Sequence, residues 1–114
     1  MKKNLILVMF LLIGYISYAQ EEEITMVVSK YSNNTIEQTG FVDQNGKKDS
    51  TWTQYNEEGK IIGIASYSHG IKNGYWFIYN DNGQKMFEVL YVNGEKRKGK
   101  QWDDVGHLID SRKW

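Results

Sequence analysis

The chain has 114 residues, with 14 basic and 14 acidic side chains, no cysteine and no proline. That charge balance excludes a strongly basic nucleic-acid or anionic-membrane binder. The missing cysteine excludes a disulfide framework, a thiolate metal site and a lipid-modified N-terminal cysteine, so one small domain at most must hold itself by burial and hydrogen bonding.

Lys2 and Lys3 precede an apolar run from Leu5 to Ile16, and Ser17-Tyr18-Ala19 places small residues where a signal peptidase reads. This predicts a secretory signal peptide over residues 1–19, cleaved after Ala19. The apolar run is short for a bilayer span, and Glu21-Glu22-Glu23 follows at once. The mature chain, from Gln20, is expected to be exported to the periplasm or medium, with no membrane insertion after cleavage.

Thr25 to Tyr31 is rich in strand formers, Ser32-Asn33-Asn34 turns it, and Thr35 to Val42 reads as a weaker strand interrupted by Gly40. Residues 20–42 therefore predict an N-terminal hairpin cap over the edge of a sheet built by residues 43–114. Within that sheet, strands are predicted at 51–55, 60–67, 75–79 and 84–92. A linking turn is expected over 68–74 and a basic connecting loop over 93–100. A last short strand starts at Leu108-Ile109.

The later part repeats with a period of 24 residues. Trp52 falls on Trp76, Tyr55 on Tyr79, Gly59 on Gly83, Tyr67 on Tyr91, and Gly46 on Gly70 and Gly94; a shortened third unit runs through Trp102 to Gly106. Gly46, Gly59, Gly70, Gly83, Gly94 and Gly106 mark turns, because a tight hairpin needs a residue that takes positive φ cheaply. No segment keeps apolar residues at three-and-four spacing. The fold class is all-β: consecutive antiparallel hairpins of a roughly 24-residue repeat in one elongated, twisted sheet.

The run from Gly74 through Tyr75-Trp76 and Tyr79 to Gly83, followed by Tyr91-x-x-Gly94, resembles the MORN-repeat variant of YwqK-type antitoxin proteins. The resemblance covers about residues 41–109, with Ser50 standing where the pattern has glycine. It implies stacked hairpins that serve as a scaffold or binding surface without catalytic residues. It also implies an antitoxin or immunity-type role.

No catalytic constellation is legible. His69 precedes a turn glycine as Asn45 and Asn93 do, and His107 follows Gly106 as a strand start; neither has a second ligand at zinc-site spacing, so no metal site is expected. Asn80-Asp81-Asn82 and Asp103-Asp104 read as turns in the absence of a calcium-loop pattern. Glu57, Glu58 and Glu88 have no spacing that converges them. The chain is therefore read as non-enzymatic and without cofactor.

The aromatic residues Trp52, Tyr55, Tyr75, Trp76, Tyr79 and Trp102 read first as the core material of a thin sheet, and where a strip of them stays open they are the candidate binding surface. Strand alternation puts Trp76 and Ile78 on one face and Tyr75, Phe77 and Tyr79 on the other. The expected function is an exported module for protein–protein interaction or scaffolding. A cell-envelope glycan binder and an antitoxin-type protein are the alternatives, and free sheet edges allow an edge-to-edge homodimer.

Overall fold

The computed structural model describes residues 23–114 and, before them, only the course of two paired strands, β1 (Leu5–Phe10) and β2 (Tyr15–Gln20). The signal-peptide reading of residues 1–19 otherwise lies outside the described residues.

From residue 25 onward the chain forms one antiparallel sheet of nine strands, with no helix among the described residues. These are β3 (Thr25–Lys30), β4 (Ile36–Val42), β5 (Lys48–Tyr55), β6 (Ile61–Ser68), β7 (Ile71–Lys72), β8 (Gly74–Tyr79), β9 (Lys85–Val92), β10 (Glu95–Trp102) and β11 (Leu108–Lys113). They lie side by side in chain order from β3 to β11, with the short β7 paired to β6 just ahead of β8. This is the all-β sheet of successive hairpins that the repeat predicts.

Two kinds of turn recur. Asp43, Asn56, Asn80 and Asp103 each open a longer turn that ends at Gly46, Gly59, Gly83 or Gly106, all at φ between 77° and 90°. In all four turns the opening residue's N–H donates to the carbonyl four residues on at 2.8–2.9 Å, and the glycine N–H donates back at 3.0–3.2 Å. The opening side chain's Oδ1 accepts the N–H groups two and four residues on, at 2.8–3.1 Å. An aspartate or asparagine satisfies donors that a tight turn otherwise leaves orphaned. The other kind is a two-residue turn, His69-Gly70 or Asn93-Gly94, with both residues at positive φ, the geometry that matches the twist of the flanking strands.

Several expectations need correcting. Gly46 aligns with Gly70 and Gly94 by repeat, yet it closes the longer kind of turn. The predicted link over 68–74 contains a two-residue turn and β7. The basic stretch expected as a loop over 93–100 is mostly β10, because its backbone pairs with both β9 and β11. Gly40 leaves β4 continuous against β3, where it pairs with Val27, while the register against β5 shifts across it, between Thr39 and Phe41. The N-terminal hairpin extends the sheet and so moves the free edge to β3, leaving Met26 and Val28 exposed.

Among the described residues no second layer covers the sheet, and Trp52, 7 % exposed, is the one buried apolar side chain. Its ring lies on the backbone of Gly40, where a Cβ would stand 2.1 Å from the ring, and its Nε1–H donates to the Phe41 carbonyl at 2.8 Å. Gly40 is thus required by close approach, whereas Gly83 is required by conformation: nothing lies within 4 Å of a Cβ built there. Gly83→Ala is expected to cost about 1 kcal/mol, the left-handed backbone penalty alone. Gly40→Ala is expected to cost about 3 kcal/mol or more, because the ring must leave its seat. Urea denaturation monitored by tryptophan fluorescence measures both; equal costs would show that the ring does not depend on Gly40.

Candidate functional site

Directly opposed residues on neighbouring strands share a face. Trp52 opposes Ala65, Gly63 opposes Ile78, Trp76 opposes Val89, and Val89 opposes Gly99. With strand alternation this defines a front face carrying Trp52 and Trp76. Trp76 sits between Tyr67 and Tyr91, with ring centroids 5.2 and 5.4 Å away and planes tilted by 59° and 57°. Its Nε1–H donates to the Ser66 carbonyl at 3.0 Å. Trp114 extends the row, its ring 2.8 Å from where a Cβ on Gly99 would stand. Burial pushes the Tyr67 phenol above its ordinary value.

The back face carries Tyr75 stacked on Phe77 at 5.7 Å, and Phe77 beside Tyr79 at 6.5 Å. Lys85 bridges Phe77 to Trp102 and pairs with Glu88 at 2.9 Å. Strand alternation also puts Tyr55 opposite the Trp52 side, and its carbonyl accepts the Tyr31 hydroxyl. The six aromatic candidates therefore do not form one surface: Trp52 and Trp76 face front, while Tyr55, Tyr75, Tyr79 and Trp102 face back. A shallow back-face groove of about 650 Å³ lies between two of the longer turns, lined by Lys60, Ile61, Ile64, Tyr79 and Asp81.

The front face holds a pattern that sequence reasoning missed. Lys48 Nζ lies 4.8 Å from the Trp52 ring and 5.2 Å from Tyr67. Lys72 lies 4.7 Å from Trp76 and 5.0 Å from Tyr91. Lys96 lies 5.5 Å from Trp114. The three lysines recur every 24 residues. The signal lies in the repeat itself, at the same spacing as the glycines and rings, but a strand lysine reads as solvated from sequence alone.

His69 also has closer company than its spacing suggests. Its Nδ1 donates to Asp43 Oδ2 at 2.7 Å and stands 3.6 Å from Asp49 Oδ2, which accepts the His69 backbone N–H at 3.1 Å. Asp43 is 3 % exposed. One ligand atom from each of the three residues lies within 4.8 Å of the others, a set able to hold a divalent cation. Hairpin pairing, not chain proximity, assembles it. The repeat gives these residues a structural role too: Asn73 Oδ1 accepts the Asn93 N–H at 3.0 Å, as Asp49 serves His69. His107 is exposed, 3.3 Å from Asp103.

Comparison with protein-family models, with curated proteins and with solved structures finds no match. Fold and site define a single-layer, all-β repeat sheet with rings and lysines in register on one face.

The His69 hydrogen bond, followed by the N–H groups of Lys47 and Asn45, holds the Asp43 carboxyl below its ordinary value against the opposing effect of burial. The folded chain therefore binds fewer protons at Asp43 than the unfolded chain. The resulting stability is fully present above the unfolded aspartate value and is lost as pH falls through the lowered folded one. Asp43→Asn retains a turn-forming Oδ1, as Asn56 and Asn80 do, and loses the ion pair. Thermal melts across acidic pH should show a flatter acid limb for Asp43→Asn than for the parent; identical limbs would show that the pair carries no linkage.

Proposed function

We propose that this chain is an exported, non-enzymatic binding module that holds an extended partner across the front face of its sheet. The observation that carries this reading is the front-face row of Tyr67, Trp76, Tyr91 and Trp114 beside the buried Trp52, with no second layer over it among the described residues. Contiguous apolar surface of this kind marks a contact site, and rings seated on backbone present it with little loss of side-chain entropy on binding. The charged start, apolar run and small-residue cleavage site at residues 1–19 support export. The immunity-type role implied by the MORN-like residues is one form of this reading, with an exported toxin as partner.

Trp114 is the probe of choice because it is 54 % exposed, so its loss disturbs the sheet less than loss of the buried Trp52. An affinity-tagged chain should retain a stoichiometric partner from the envelope or medium of the producing cell. Trp114→Ala should lose it while circular dichroism shows the sheet still folded at the binding temperature. Equal retention by both chains would remove the front face from the reading.

A further inference from the structure

We propose that the front face binds a linear anionic glycan carrying one acidic group per disaccharide, laid across the strands so that successive acids meet Lys48, Lys72 and Lys96. This rests on the binding-module reading and names its ligand class.

The first argument is period. The three lysines stand on β5, β7 and β10, and β7 lies in the position of β8 beside β6. These are alternate strands, so successive lysines are two strand spacings apart, roughly 9–10 Å. That is close to the rise of one disaccharide in an extended β-linked chain. The row runs along the direction in which the sheet grows, so a polymer following it stays in step with the repeat.

The second argument is charge. Among the described residues, Lys60, Lys85, Arg97 and Arg112 each have a carboxylate within 4 Å, whereas Lys48, Lys72 and Lys96 have none. Their amines are held instead over rings, at 4.7–5.5 Å from the ring centroids. The front-face Asp110 is already bonded to Arg112 at 2.8 Å. A ring fixes the direction of each amine without neutralising it, so the charge remains available to an external anion.

The third argument separates this ligand from other polyanions. An extended peptide is usually taken up at a sheet edge through its backbone, but this row crosses the interior strands, whose backbone groups serve the ladder. Single-stranded nucleic acid stacks its bases on open ring faces, and here neighbouring rings are tilted by 57–59° with amines over them. A glycan presents alternating acid groups and C–H surfaces, which suits amines alternating with apolar ring edges.

The test uses the full chain and hyaluronan oligosaccharides, which carry one carboxylate per disaccharide, titrated by calorimetry. Cello-oligosaccharides serve as the neutral control, and polyglutamate and oligothymidylate as other polyanions. Hyaluronan should bind, more weakly as salt rises, with cello-oligosaccharides and both other polyanions clearly weaker. Lys48→Gln, Lys72→Gln and Lys96→Gln should each lower affinity about two- to fivefold, as single exposed charges do. The triple Gln variant should lose measurable binding, the triple Arg variant should keep it, and Lys47→Gln should change nothing. Single Gln variants that remain folded at the titration temperature keep the result readable if the triple variant is unstable. No hyaluronan binding, equal binding of either other polyanion, or indifference to the single and triple Gln changes overturns the proposal. If no glycan binds while a protein is captured through Trp114, the glycan assignment fails and the binding-module reading stands. If neither is found, both fail.

Discussion

A tryptophan ring seated on a glycine backbone, with a lysine amine over it, is the contact on which this sheet depends. A single layer has no opposing layer to bury its apolar face, so its rings must be covered from within the same surface. Gly40 gives Trp52 a flat seat, and Lys48 closes over it. Trp114 repeats the arrangement on Gly99 under Lys96. The lysine stem shields apolar area while its amine stays in water, and each cation–ring contact adds on the order of 0.5–2 kcal/mol. In the middle unit the neighbouring rings Tyr67 and Tyr91 flank Trp76 on both sides.

Register is held by a separate device at the turns. The longer turns satisfy their own N–H groups through an Asx side chain, so each hairpin is fixed locally. The two-residue turns are tied to the preceding hairpin by Asp49 and Asn73. Since a slip of one residue would move every ring to the other face, these ties decide which residues share a surface. They also explain why Asp43 and Asp49 meet His69, although 26 and 20 residues separate them from it.

The fold was legible because its two strongest sequence signals, turn glycines and ring spacing, report local geometry. The site was less so. Lys48, Lys72 and Lys96 were hidden because a charged residue on a strand reads as solvated until its ring partners are placed. Ser50, noted as a departure from glycine, takes φ 62°, close to the left-handed backbone that the pattern demands. The stretch around Arg97 looked like a loop because its cations mask a strand whose pairing is set by tertiary context. Strand alternation divides the rings within β8, but dividing the remaining rings between faces depends on bulges, such as that between Gln54 and Tyr55, which sequence does not announce.

The in-order hairpin topology has a mechanical consequence. The strands follow one another from β3 at one edge to β11 at the other, so a pull on the two ends of the sheet draws each strand away from its neighbour at a turn. Load then falls on one or two ladder bonds at a time instead of on a whole strand in shear. Such a sheet opens strand by strand under low force, and a ligand spanning several strands would act as a clasp, converting that sequential peeling into a cooperative rupture.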